Sequence, residues 1–186
     1  MVPFDISIEK LASLKQAGVV GIAMNVAMLG TEPFLSLDGL LGKLAELDMF
    51  AAIQVQGDQL LALLPLINRS NTRLLIDHSG RPDVVQGIQQ PAFQALLSLA
   101  SQQRTWIKLS GLSKCSSQPF SYQDGHIYQH ALLDAFGAEY CMMGSDWPFL
   151  RAEHRMNLGT LLMLVQQWIP DAQIRHKNLW PQPKDL

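Results

Sequence analysis

The side chains best suited to chemistry are a neighbouring aspartate and histidine, Asp77 and His78, and a second aspartate, Asp146, each at the end of an apolar run. The Asp146 carboxylate could accept a proton from an attacking water or ligate a metal, and His78 could polarise a carbonyl, bind metal or hold a substrate. Both also have a structural interpretation, because aspartates accept backbone hydrogen bonds in turns and His78 precedes Gly80 and Pro82. On the residues alone, the two interpretations have equal weight.

Structural roles are the preferred interpretation of the other candidate residues. Asp77 should point to the opposite face of its strand from His78, and we predict a structural ion pair with Arg81. His126 and His130 have the i, i+4 spacing of a helical zinc site, but no HExxH motif and no third ligand lie nearby. A solvated helix face is the preferred interpretation of that pair.

Composition narrows the class of protein. The chain has 186 residues, of which 48% are hydrophobic and 16% charged, so it is long enough for one domain with a core. Its net charge of -2, without a basic stripe, argues against nucleic-acid binding. No apolar run reaches the roughly 18 residues of a membrane span, and no signal peptide is visible. Cys115 and Cys141 lack a CxxC spacing, which predicts reduced thiols in a cytoplasmic protein.

The elements that must position these residues alternate between strand and helix. Apolar runs rich in β-branched residues predict strands at residues 18–27, 50–56, 73–78, 105–110 and 140–145. Helical periodicity predicts helices at residues 36–47, 58–68, from Pro91 onward, 122–136 and 153–169. Pro65 should end or kink the second helix. Residues 171–186 have no periodic pattern and are predicted to be a tail.

This alternation predicts an α/β fold with a parallel sheet that is covered on both faces. An open doubly wound sheet and a (β/α) barrel both fit, and both collect functional groups at the carboxyl ends of the strands. No strand is followed by a phosphate-binding glycine-rich turn, which disfavours a nucleotide-binding open sheet. Polar residues at all the strand ends predict a polar pocket, and they are Asn25, Gln54, Gln56, Asp77, His78, Lys108, Ser110, Ser145 and Asp146.

Three motifs carry a family resemblance: LIDHSGRPD at residues 75–83, WIKLSG at 106–111 and MGSDWP at 143–148. In this order and spacing they resemble the amidohydrolase-related branch of the metal-dependent hydrolases, in the group of 2-pyrone-4,6-dicarboxylate lactonases and sugar lactonases. The similarity extends over residues 5–178. It implies a (β/α)8 TIM barrel that hydrolyses a lactone or a related ester or amide bond.

The resemblance also implies roles for residues. Asp146 matches the aspartate after the last barrel strand, which activates the hydrolytic water, and His78 matches a histidine near the substrate carbonyl. These two are the predicted catalytic residues. The predicted substrate-binding residues are Asn25, Lys108, Ser110, Lys114 and Trp147.

Several family features are replaced here. The family begins with an H-x-H pair on its first strand, and this sequence contains no such pair. Aligning residues 21–25 with the family's fourth strand predicts a partial barrel: five of eight βα units, strands four to eight, in one truncated domain over residues 1–186. Ala23 and Lys114 stand where the family has substrate-binding arginines, and Phe149 stands in place of a histidine.

The leading hypothesis is a hydrolase for a lactone of a dicarboxylate or sugar acid, with a small-molecule substrate and an Asp-activated water. No tightly bound metal is expected, since only His78 and Asp146 remain as ligands and two ligands make a weak zinc site. One alternative is a non-catalytic truncated paralogue that self-associates through open barrel edges or binds a partner. Another is an independent five-stranded doubly wound binding protein.

Overall fold

The computed structural model describes residues 2–118, 122–150 and 156–179. Its framework is one sheet in which neighbouring strands are parallel and follow chain order, β1-β2-β3-β4-β5. The strands are β1 (Gly21–Asn25), β2 (Phe50–Gln54), β3 (Arg73–Ile76), β4 (Thr105–Leu109) and β5 (Cys141–Met143). This order lacks the reversal of a doubly wound sheet, so the strands succeed one another as they do in a barrel. In the described part of the chain, β1 and β5 each pair with one strand.

Helices connect the strands and flank the sheet. They are α1 (Ile8–Gln16), α2 (Val26–Leu29), α3 (Asp38–Glu46), α4 (Gln59–Arg69), α5 (Pro91–Ser98), α6 (Gln123–Phe136), α7 (Leu158–Trp168) and α8 (Ala172–Leu179). Local signals set several of their ends: the side chains of Ser7 and Asn157 cap the first turns of α1 and α7, and Gly137 ends α6 at φ 73°. None of the helices in the described ranges is long and apolar enough to cross a bilayer.

The sequence located these elements, with differences at their ends. The strands are one to five residues shorter than predicted, and α4 continues through Pro65 instead of ending there. The largest difference is α8, which occupies part of the predicted tail. The Asp171 carboxylate accepts from the backbone amides of Gln173 and Ile174, so a polar cap starts this helix without an apolar stripe. The last helix predicted from residue 153 begins at Leu158, and residues 151–155 and 180–186 lie outside the described ranges.

Alternation along the strands separates the two faces of the sheet. One face carries fully buried side chains such as Ala51, Leu74 and Ile107, which pack against α3, α4, α5 and α6 in the main core. Away from its amino-terminal end, the opposite face carries half-exposed residues such as Gln54 and Lys108, and Ala23 is exposed there. The prediction of cover on both faces is therefore wrong for the described residues, because every crossover helix in the core packs against the same face.

Aromatic side chains occupy the amino-terminal end of the open face. Trp106 contacts Phe50 edge-on at 5.2 Å between ring centroids and Tyr140 at 5.0 Å. The Arg73 guanidinium lies 4.4 Å from the centroid of the Phe50 ring. Packed aromatic rings and a cation therefore cover this end of the sheet. The polar groups lie at the carboxyl ends of the strands.

We expect Ile107→Ala to lower the free energy of unfolding by about 2 to 5 kcal/mol, because Ile107 is fully buried at the centre of β4 and the lost methyl groups leave a cavity. The matched control is Val85→Ala, since Val85 is 84% exposed. Urea unfolding of both variants measures the difference. Equal midpoints would contradict this placement of the core.

Candidate active site

A tight turn after β3 holds His78. Residues Asp77–Gly80 form a short 3-10 turn in which His78 and Ser79 have left-handed backbones, with φ of 52° and 55°. Non-glycine residues adopt this conformation only when their surroundings fix it. The buried Ser79 hydroxyl exchanges hydrogen bonds with the Gln129 side chain of α6 at 3.0 and 3.2 Å, and the Arg81 amide donates to the His78 carbonyl at 2.9 Å. The first contact anchors the turn to α6, and the second closes the turn itself.

The loop after β4 fixes the orientation of the His78 ring. The Ser110 hydroxyl is fully buried and lies 2.9 Å from Nδ1 of His78. Gly111, at φ 66°, passes beneath the ring, and a Cβ at this position would lie 3.0 Å from Nδ1. A glycine is therefore needed here both for the backbone conformation and for the close approach. With Nδ1 held against Ser110, Nε2 faces the other loops.

Asp146 lies where β5 ends. The Gly144 amide donates to the Leu109 carbonyl at 3.1 Å, which continues the strand pairing to the edge of the site. The Asp146 backbone is left-handed at φ 59°, and its carbonyl accepts from the Phe149 amide at 2.7 Å. Its Oδ1 lies 3.7 Å from Nε2 of His78, and its Oδ2 lies 2.7 Å from Nζ of Lys114. Three consecutive strand ends thus place a histidine, a lysine and an aspartate together.

Burial controls the charge of this cluster. Desolvation lowers the pKa of His78, and this effect outweighs the opposing attraction of Asp146 and Asp77. The imidazole is therefore neutral near pH 7. A carboxylate oxygen beside Nε2 favours the tautomer that carries its hydrogen on Nε2, so the Ser110 hydroxyl donates to Nδ1. His78 consequently presents an N–H donor to the site.

These groups line a polar cavity of about 580 Å³ at the carboxyl ends of the strands. One side carries charged and ionisable groups, and the other carries side-chain amides. The lining residues are Asn25, Ala27, Met28, Gln54, Gln56, His78, Arg81, Lys114, Asp146 and Leu150.

The predicted site residues divide between the cavity and its surroundings. Asn25, His78, Lys114 and Asp146 line it, whereas Ser110 lies behind the His78 ring. Trp147 is 77% exposed and belongs to a different surface depression.

Lys108 lies outside the lining as well, because its Nζ pairs with Asp77 at 2.8 Å. This pair corrects the predicted partnership of Asp77 with Arg81. The register aligns Ile76 with Ile107, so the next residues along the two strands, Asp77 and Lys108, are cross-strand neighbours. Arg81 lines the cavity instead. It was not among the predicted site residues, because its position in the sequence suggested an ion pair with Asp77.

The remaining candidates are structural. His126 and His130 lie with ring centroids 4.2 Å apart, and both side chains are half-exposed. The His126 ring also contacts the Trp168 ring at 5.6 Å, so the face is solvated only in part. Cys115 and Cys141 are buried, and burial raises the pKa of each thiol to about 12, which leaves them protonated and unreactive.

The cavity does not fit a divalent metal. In residues 2–118, 122–150 and 156–179, no three His, Cys, Asp or Glu side chains converge in a way that could hold an ion. At the cavity itself, the Lys114 ammonium contacts the one carboxylate that a metal would need.

We expect the His78 ring to titrate below its ordinary value of about 6.5, because burial disfavours the imidazolium. NMR titration of the ring carbons, assigned with His78→Gln, measures this. The depressed pKa means that the unfolded chain binds the proton more readily. The contribution of His78 to the free energy of unfolding is therefore fully present above about pH 6.5 and is lost as the pH falls below it. The free energy of unfolding should thus fall more steeply with decreasing pH in the wild type than in His78→Gln. A midpoint above 6.5 would contradict the burial argument.

Known proteins are similar in sequence to this chain over most of its length. A 4-sulfomuconolactone hydrolase of Rhizobium radiobacter is 33% identical over 186 residues, which cover 95% of this chain and 61% of the relative. A 2-pyrone-4,6-dicarboxylate hydrolase of Comamonas testosteroni is 25% identical and covers 98% of this chain. The chain spans 63% of the length of that second relative.

Structural comparison agrees with the sequences. A crystal structure from Pseudomonas putida, described as a 2-pyrone-4,6-dicarboxylic acid hydrolase, superposes with a TM-score of 0.86 at 28% identity. The superposition covers 98% of this chain and 68% of that one. The family described as Amidohydrolase matches residues 3–181. The chain therefore belongs to the amidohydrolase family.

Proposed function

We propose that this chain carries the catalytic aspartate and histidine of a lactone hydrolase that acts on a carboxylated small molecule. The observation that carries the proposal is the contact of Asp146 with both Lys114 and His78 at the edge of a polar cavity. A charged base beside a neutral N–H donor is the arrangement that hydrolysis of an ester bond requires. The two relatives whose names include a lactone or pyrone substrate support the choice of reaction.

In the proposed reaction, the Asp146 carboxylate accepts a proton from a water molecule as the water oxygen adds to the lactone carbonyl carbon. The carbonyl oxygen becomes an oxyanion, which accepts a hydrogen bond from Nε2–H of His78. The bond from carbon to the ring oxygen then breaks, and the ring oxygen takes the proton from Asp146. The products are one hydroxyl and one carboxylic acid group, and the balance is lactone plus water.

Lys114 serves two steps in this scheme. Its ammonium holds Oδ2 of Asp146 in position before the water attacks. Once Asp146 has taken the proton, the same ammonium compensates the negative charge that has moved to the substrate oxygen. Ser110 holds the His78 tautomer that can donate to this oxygen.

We further propose that the five strands correspond to strands four to eight of a (β/α)8 barrel. Their parallel sequential order and the helices on one face of the sheet support this. So does the superposition, which places nearly all of this chain on about two thirds of the P. putida protein. The open face of the sheet would then be the inner wall of the barrel.

We expect Asp146→Asn to lower kcat for lactone hydrolysis by about 100- to 10,000-fold, because the amide cannot accept the proton from water. Loss of 2-pyrone-4,6-dicarboxylate absorbance measures the rate. Asp38→Asn is the matched control, since Asp38 is an exposed carboxylate paired only with Arg69 in the described structure.

Two results would overturn the proposal. Hydrolysis by Asp146→Asn at the wild-type rate would remove the aspartate from the mechanism. A wild-type protein that is folded by circular dichroism, binds the lactone and does not hydrolyse it would favour the non-catalytic alternative.

A further inference from the structure

The turn that carries His78 has a backbone conformation that most of its residues do not favour. All four residues of 78–81 are left-handed, with φ between 44° and 71°, and only Gly80 adopts this region readily. Each of the other three costs free energy there, so the run persists only where other groups hold it. The pairing of β3 with β4 ends at Ile76. The position of the turn therefore depends on contacts beyond the sheet.

One contact between side chains joins this turn to α6. Ser79 and Gln129 are both buried, and the Ser79 hydroxyl lies 3.0 Å from Nε2 and 3.2 Å from Oε1 of Gln129. A hydroxyl can accept from the amide nitrogen or donate to the amide oxygen, so either orientation of the amide satisfies it. The lining of the cavity, in the part of the chain that the structure describes, includes neither side chain. Gln129 therefore lies behind the site and acts on a substrate only through the turn.

The same face of α6 also contacts the loop after β4. Gly125 precedes Gln129 by four residues, which places both on one side of the helix. A Cβ at Gly125 would lie 2.9 Å from the Cys115 carbonyl oxygen, so a glycine is needed for this close approach. The Cys115 thiol in turn donates to the His78 carbonyl, with Sγ 3.4 Å from the oxygen. The helix thus fixes the turn after β3 relative to the loop that carries Ser110.

A second contact of α6 holds the segment that follows the turn. The hydroxyl of Tyr128, the neighbour of Gln129, accepts from Nε2 of Gln90 at 3.3 Å. The Gln90 side chain also accepts from the Asp83 amide at 3.0 Å and donates to the Asp83 carbonyl at 2.8 Å. This segment stays attached to α6 without Gln129. The residue next to His78, in contrast, depends on it.

We propose that Gln129 is a positioning residue: acting through Ser79, it holds the His78 ring where Nε2–H can meet the carbonyl oxygen of a substrate. That ring lies between Ser110, 2.9 Å from Nδ1, and Asp146, 3.7 Å from Nε2. A shift of the turn changes both distances at once, and a misplacement of about 1 Å costs on the order of 100-fold in rate. This inference rests on the proposed function and adds to it a residue that does not touch the substrate.

Kinetics test the positioning role. We expect Gln129→Leu to lower kcat for 2-pyrone-4,6-dicarboxylate by about 10- to 100-fold and to change KM by less than about threefold, because the hydrogen bond from His78 to the oxyanion forms in the transition state. Gln129→Glu keeps an acceptor for the Ser79 hydroxyl and should recover most of kcat. Gln94→Leu is the matched control, since the exposed Gln94 amide donates to the Ile88 carbonyl, and its kcat should equal that of the wild type.

The double variant Ser79→Ala/Gln129→Leu separates positioning from folding. Gln129→Leu alone leaves a buried hydroxyl unpaired and destabilises the protein, whereas apolar replacement of both partners is nearly neutral. We expect the urea midpoint of the double variant to return toward that of the wild type while kcat stays low. Recovery of kcat together with the midpoint would give the contact a purely structural role and overturn the inference.

A measurement on the protein without substrate distinguishes this inference from the proposed reaction. The nitrogen NMR shifts of the His78 ring should show hydrogen on Nε2 in the wild type, and a mixture of tautomers in Gln129→Leu, since Ser110 then no longer holds Nδ1. This change in a protein without lactonase activity would refute the reaction and keep the positioning role. Lactonase activity with a wild-type kcat and an unchanged tautomer in Gln129→Leu would keep the reaction and refute the positioning role.

Discussion

The ion pair between Lys114 and Asp146 joins the loops that follow β4 and β5, and the rest of the site is arranged around it. Both side chains are nearly removed from water, so their mutual attraction at 2.7 Å is offset by the cost of desolvating two charges. Such a pair adds little net stability, and its effect is to fix position. It holds one carboxylate oxygen and leaves the other directed toward His78. The turn after β3 and the close approach of Gly111 then hold the His78 ring so that its Nε2 faces that oxygen.

Burial sets the protonation state of His78. His78 is buried and its pKa falls, so it carries one proton and no charge. Asp146 contacts the Lys114 ammonium through Oδ2, which leaves Oδ1 free to face the imidazole. A neutral donor next to an anionic acceptor is how a site separates acid and base work between neighbouring side chains. The compact Lys114 ammonium contacts a single oxygen of the Asp146 carboxylate.

Periodicity and turn residues predicted the strands, most helices and the residues that converge on the cavity. Asp146, His78 and Asn25 could be found because each lies at the end of a recognisable apolar run, whereas Lys114 was found only through the family motif. Arg81 could not be assigned, since its role depends on strand register: Ile76 aligns with Ile107, which gives Asp77 to Lys108. The helix Ala172–Leu179 escaped detection because a polar cap starts it and an ion pair from Lys177 to Glu139 holds it to the neighbouring turn, and neither leaves an apolar period.

The aromatic cluster at the amino-terminal end of the open face affects how such a protein can evolve. Phe50, Trp106 and Tyr140 hold the strands together at the end opposite the cavity, together with the Arg73 cation. The carboxyl-end loops therefore do not have to maintain the sheet while they contact a ligand. Substitution of an amide by a cation in these loops, or shortening of a turn, therefore need not disrupt the sheet. Ligand preference in this architecture is free to drift faster than the fold that displays it.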